Sequence, residues 1–382
     1  MKLRFVLSFS ANLIVLGSIC SAQADPTVET ATTAVVRAFE AHNIVMFGEI
    51  HGNKQEYEWL RSLVATPEFA DRVDDIVVET GNSLYQKSVD RYVSGEDVPL
   101  EQVQKAWRDV VGVIGAPSPV YASFYQAVRD INLKRRGKHQ MRIVCGDPYI
   151  DWERVKDRED IAPYMGNRDQ WYAQVVKAEV LAKHHSALLI MGWGHFLRGF
   201  PPGQRTPSIE QQLRSADAKT YLIVAGMNAT GADDDIDHRF GSWPAPAIAA
   251  LDVGWVGDLL AMPVNSGGSM AFGPIAASPG ASASASSPAP LKLKDVADAM
   301  LYLGPRDSLI QISMTRAELN GTWYGKEVER RLTIEGFPLT IISENKETPQ
   351  FPRPQPASAG LPSLPPPPKN MGAPLPPRPP SQ

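Results

Sequence analysis

The chain has 382 residues, 43% of them hydrophobic, and a formal net charge of −4. That balance argues against a nucleic-acid binder, which presents a basic face. With two cysteines, one of them in a removable leader, no disulfide framework is available.

Residues 1–24 read as a secretory signal peptide: Lys2 and Arg4 start it, Phe5 to Cys20 form the mostly apolar middle, and Ala22-Gln23-Ala24 precedes Asp25 as a cleavage site. Its loss moves the net charge from −4 to −6, because Lys2 and Arg4 leave with it. Ile19 stands where lipidation at Cys20 wants a small residue, so the expected product is exported and soluble, periplasmic or secreted. No later stretch is long and apolar enough to span a bilayer, so no transmembrane segment is expected in the mature chain.

After the leader, helix and strand patterns alternate. Thr33 to Ala41 is helical, and Ile44-Val45-Met46-Phe47 is a short, continuously apolar strand that ends at Gly48-Glu49-Ile50-His51. Tyr57, Leu60, Leu63 and Val64 recur at helical spacing; Ile76-Val77-Val78 is a strand ending at Glu79-Thr80-Gly81. A helical stretch runs from Ser83 to about Arg136, broken around Gly112 to Pro119, and Lys134 to Lys138 is its solvated end. Ile143-Val144-Cys145 is the next strand, ending at Gly146-Asp147-Pro148, with Cys145 read as a core residue. Trp171, Tyr172, Val175, Val176, Val180 and Leu181 stripe a helix opened by Arg168-Asp169. Strand Ala187 to Met191 then ends at Gly192-Trp193-Gly194-His195, and Tyr221 to Gly226 and Met300 to Leu303 are further strands. Such alternation predicts an α/β fold, a mostly parallel sheet with helices on both faces. The domain spans 25–348, with a low-complexity insertion at about 266–290; 349–382, rich in proline, is a disordered tail suited to a proline-recognition partner.

Two strands therefore end in the same apolar-run-then-Gly-x-x-His layout. His51, Glu79, Asp147 and His195 fall at the carboxyl ends of four strands, the rim where open α/β sheets bind ligands. Each alone has a plain explanation: Glu79-Thr80-Gly81 can cap a helix and Asp147-Pro148 can start a turn. His184-His185 is read as a helix end where positive charge suits the dipole, and Asp169 likewise suits a helix start. Together, two imidazoles and a carboxylate make a ligand set for a divalent transition metal. Glu49 is placed to ligate, to act as general base or to orient a ligand, and Arg168 to reach an anionic group. A metal-free histidine base fits the same pattern. No Gly-x-Ser-x-Gly elbow, His-Glu-x-x-His helix or Walker loop is present.

Gly48-Glu49-Ile50-His51-Gly52, the strand ending in Glu79, Asn167-Arg168-Asp169 and Gly192-Trp193-Gly194-His195 together resemble the ChaN-like and erythromycin-esterase-like superfamily, which also takes in the Tiki and TraB proteins. The resemblance covers about residues 30–227, and more weakly 301–305. Its Tiki-like branch implies metal-dependent proteolysis by His51, Glu79 and His195. Its esterase branch implies lactone opening by a histidine base. Its ChaN-like branch implies haem binding, with Tyr85, Tyr149 or Tyr172 as axial candidates. The Glu49-x-His51 spacing is nearer the ChaN and Tiki side. The expectation is an exported hydrolase of an ester or amide bond in a small molecule or peptide, with Glu49, His51, Glu79, His195 and Arg168 in the catalytic site. Manganese, cobalt or zinc would sit on His51, Glu79 and His195. Haem binding in an iron-uptake system is the alternative, and an envelope scaffold acting through the tail is a third.

Overall fold

A computed structural model describes residues 26–112, 117–166, 168–196, 198, 207–225, 229–230, 238–261, 291–350, 371 and 373–379. The leader 1–24, the insertion at 266–290, Asn167, Gly226 and most of the proline-rich tail lie outside the described residues.

The strands, in chain order, are β1 (Val28–Thr30), β2 (Ile44–Glu49), β3 (Asp75–Asn82), β4 (Arg142–Asp147), β5 (Ala187–Gly192), β6 (Thr220–Ala225), β7 (Ala229–Thr230), β8 (Ala247–Ala250), β9 (Leu260–Ala261), β10 (Ala299–Tyr302), β11 (Ile310–Ile312) and β12 (Glu347–Pro349). Eight of them form one sheet in the order β1-β8-β10-β6-β2-β5-β3-β4; β11 pairs with β12 and β7 with β9. From β10 to β4 every neighbour is parallel, while β8 and β1 add an antiparallel edge. The protein thus has the α/β architecture that alternating elements imply.

Burial on both faces explains the continuous apolar runs. Val45, Phe47, Ile76, Val78, Leu188 and Ile190 belong to the core on one face. Their strand neighbours Ile44, Met46, Val77, Leu189 and Met191 belong to the core on the other. One face packs against helices that include Lys54–Ala65 and Pro119–Lys134, and the other against Arg168–Glu179 and Ile209–Arg214. No helix among the described residues is long and apolar enough to cross a membrane.

Three local features differ from the sequence pattern. The stretch expected to be helical from Ser83 to Arg136 is divided into Gln86–Val93, Leu100–Val103, Lys105–Arg108 and Pro119–Lys134. Pro99 and Pro119 each stand where a new helix begins, the position proline tolerates. The striped helix stops at Glu179, so His184 and His185 lie beyond it. His185 Nδ1 is 2.7 Å from Asp75 Oδ2, at the amino end of β3 and away from the rim. Finally, Pro349 pairs with Ile310 in the β11–β12 ribbon, and residues 373–379 of the expected tail run against the body, where Tyr149 donates to the Pro376 carbonyl at 2.9 Å.

Candidate functional site

The register of β2 on β5 aligns Glu49 with Gly192, so the two Gly-x-x-His segments leave the sheet side by side. Between β3 and β4 the pairing shifts: Val78 opposes Cys145, but Asn82 opposes Asp147. Two extra residues on β3 therefore form a bulge that contains Glu79, a device that re-aims a side chain at a sheet rim.

Glu79 is the hub, and it is buried. Its Oε2 accepts the Gly192 amide at 2.6 Å and lies 3.9 Å from His51 Nε2. Its Oε1 accepts Arg168 Nη2 at 2.8 Å and lies 3.4 Å from His195 Nε2. Each imidazole is gripped on its other nitrogen by a separate carboxylate. His51 Nδ1 is 2.7 Å from Glu49 Oε1, and His195 Nδ1 is 2.5 Å from Asp169 Oδ1. Such bonds fix ring orientation and tautomer. Glu49 is held in turn by the Tyr57 hydroxyl, which donates to Oε2.

Asp147, fully buried, accepts the Val111 amide at 2.6 Å, Arg168 at 3.1 Å and the Tyr172 hydroxyl at 2.8 Å. A side chain at Gly192 would crowd the site: a Cβ there would stand 3.1 Å from His51 Nε2 and 3.2 Å from Glu79 Oε2, so both groups would have to move. The backbone can approach the two groups because nothing projects from it.

Charge sets the protonation. Four carboxylates share the rim with one guanidinium: Arg168 bonds Glu79 and Asp147, while Glu49 and Asp169 face His51 and His195. Burial opposes protonation of His195, yet Glu79 and Asp169 outweigh it and raise its pKa to about 9. Burial also opposes protonation of His51, and the Glu79 charge and the Glu49 bond overcome it to raise its pKa. Burial works against an ionised Glu79, but His195, His51 and Arg168 hold it well below the usual carboxylate range. Asp147 goes the other way: burial lifts it to about 6 despite Arg168, the Val111 amide and Tyr172.

Surplus negative charge of this kind is met by two imidazolium ions or by a divalent cation. Glu49, His51 and Glu79 each offer a ligand atom within 4.8 Å of the others. His195 falls outside that trio while its Nε2 faces Glu79. Beside His51 a pocket opens, lined by Ser118, Gln311, Ile312, Ser313, Met314 and Leu332, apolar and polar walls together next to the polar cluster.

All the sequence-derived candidates, Glu49, His51, Glu79, Arg168 and His195, converge on this rim, joined by Asp147. Asp169, a helix-dipole partner in the sequence reading, also faces His195; Tyr172, a stripe residue and haem candidate there, also bonds Asp147. The Arg168-x-x-x-Tyr172 spacing, four apart on one helix face, was the available signal for the second. Tyr57 had no comparable signal, since its role rests on contact with Glu49 across a turn. The tyrosines considered for haem are all buried with their hydroxyls bonded: Tyr85 to Asp109 at 3.2 Å, Tyr149 to Pro376, Tyr172 to Asp147. Cys145 is buried and its thiol is pushed up by burial, as suits a core residue.

No family model matches the chain, and no curated protein does. Four solved structures do, all distantly. A Bacillus cereus protein is 12% identical with a TM-score of 0.39, covering 74% of this chain and 95% of its own. The type III effector HopBA1 is 14% identical with a TM-score of 0.35, covering 55% and 90%. ChaN of Campylobacter jejuni, described as binding haem cofacially, is 12% identical with a TM-score of 0.31, covering 53% and 87%.

Proposed function

We propose that the protein is a hydrolase of an ester or amide bond that works after export, with the reacting water held among His51, Glu79 and His195. The observation that carries the reading is the convergence of two imidazole Nε2 atoms on Glu79, each ring fixed from behind by its own carboxylate. Carboxylate-backed imidazoles facing a shared carboxylate suit a divalent transition metal. Manganese, cobalt or zinc held by His51, Glu79 and His195 would supply a water acidic enough to ionise near neutral pH.

The protein's own groups have separable tasks. Glu49 and Asp169 keep Nε2 of each ring directed at the centre. Arg168 anchors Glu79 and offsets part of its charge. With no cation bound, His195 keeps its proton at neutral pH; a bound cation would take that proton's place on Nε2. The pocket beside His51, with both apolar and polar walls, would take the substrate's non-reacting part, a small-molecule group or peptide side chain.

The test is the metal content of untagged, exported protein purified without chelator, followed by turnover of ester and amide substrates. Near-stoichiometric manganese, cobalt or zinc is expected, lost together with turnover in His51→Ala and His195→Ala while the fold survives. Variants that turn over like wild type would overturn the reading. Iron accompanied by a Soret band would replace it with haem binding.

A further inference from the structure

The proline-rich end of the chain lies on a specific aromatic surface. Residues 373–379 read Ala-Pro-Leu-Pro-Pro-Arg-Pro and form neither helix nor strand. Tyr149, which follows β4, donates to the Pro376 carbonyl at 2.9 Å. It packs edge-on against Trp171 at 5.1 Å and Tyr164 at 6.5 Å between ring centroids. Leu375 packs against both the main core and the smaller cluster around Ile150 and Tyr164. Arg378 donates to the Ser83 carbonyl at 2.7 Å and places its guanidinium 5.7 Å from the Tyr149 ring centre. The backbone of Met371 crosses Gly166 so closely that a Cβ there would meet its carbonyl oxygen.

We propose that this surface is a recognition groove for extended, proline-rich peptides carrying leucine and arginine, and that the chain's own residues 373–379 occupy it. The chemistry is that of proline recognition: aromatic rings against a segment whose fixed φ leaves little entropy to lose, and a tyrosine hydroxyl for a carbonyl that no secondary structure satisfies. A cation within 6 Å of a tyrosine ring adds selectivity for arginine. Tethering favours the internal occupant through its high effective concentration, so a peptide from outside competes only when the tail is released. The groove borders the rim: Ser83 follows the β3 bulge that bears Glu79, and Tyr149 stands two residues beyond Asp147. The proposal goes beyond the hydrolase reading and does not depend on turnover.

The test is calorimetric titration of a synthetic peptide of residues 371–379, which includes the Met371 that crosses Gly166, into the mature chain and into its Leu375→Asp/Arg378→Glu variant. The variant is expected to bind the peptide at least about tenfold more tightly than wild type does. Adding Gly166→Leu to the variant should abolish that binding, and adding Tyr149→Phe, which keeps the ring and so preserves packing, should weaken it. Equal binding by wild type and variant, or binding by neither, would overturn the proposal.

Discussion

His195 holds a proton more tightly than free histidine does, and stability should reveal it. Its pKa rises from the ordinary 6.5 to about 9 on folding, against burial, through Glu79 and Asp169. Folded protein therefore binds more protons than unfolded protein between those values. The contribution is fully present below pH 6.5 and is lost as pH rises through about 9, amounting to roughly 3 kcal/mol at most. In chelator-treated protein, urea midpoints should fall across that window. Asp169→Asn, which lowers the charge facing the ring, should flatten the fall; an unchanged slope would sink the assignment. Arg168 poses a different demand. It touches Glu79 at 2.8 Å and Asp147 at 3.1 Å, so Arg168→Met leaves buried Asp147 without its cation and takes from Glu79 one of the three groups that hold it ionised. A loss of about 3–5 kcal/mol is expected from that imbalance. Asp147→Asn in the same background should restore part of it, measurable as a partly recovered unfolding midpoint.

At the scale of elements, the site depends on how β3 ends. Asn82 stops the bulge: its side-chain amide donates to the carbonyls of Asp109 and Ile150, both at 2.7 Å, while its oxygen accepts the Leu84 amide at 2.9 Å. Asn82 is fully buried, so Asn82→Ala strands three backbone groups and should cost about 3 kcal/mol, read from denaturant unfolding. Turnover or metal retention should fall further than stability alone accounts for, because Glu79 loses its bulge. None of this geometry is written in Ile76-Val77-Val78-Glu79, which shows a strand and its end but not an irregular register. The parallel strands were legible because burial on both faces leaves uninterrupted apolar runs. β1 and β8 were not: Val28-Glu29-Thr30 is short and sits at an edge, and Ala247-Ile248-Ala249-Ala250 carries too little β-branched character to stand out. The same limit applies within the site. Strand ends bring Glu49, His51, Glu79, Asp147 and His195 to one rim by topology alone, whereas the Asp169–His195 contact needs a helix placed over the sheet. Sequence periodicity does not specify that placement.

The whole molecule is tied together by a buried ion pair far from the catalytic candidates in sequence. Arg331, on the Trp323–Glu335 helix, is 1% exposed; it donates to Asp109 Oδ1 at 2.7 Å and to the Arg108 carbonyl at 2.9 Å. Asp109 also accepts the Tyr85 hydroxyl, and two residues on, the Val111 amide holds Asp147. Side-chain contacts and the short backbone step from Asp109 to Val111 thus link the Trp323–Glu335 helix to the rim. That helix also lines the pocket beside His51 through Val328 and Leu332, so residues beyond 300 belong to the same folding unit as the site. Removing one partner should expose the coupling. Arg331→Met is expected to cost about 3–5 kcal/mol, since buried Asp109 loses its ion-pair partner. Arg331→Met/Asp109→Asn should cost less than Arg331→Met alone, because no buried charge remains without a partner. If the double variant is instead as unstable as the sum of the two single ones, the pair does not act as a unit, and the packing of the helix alone joins the C-terminal region to the sheet.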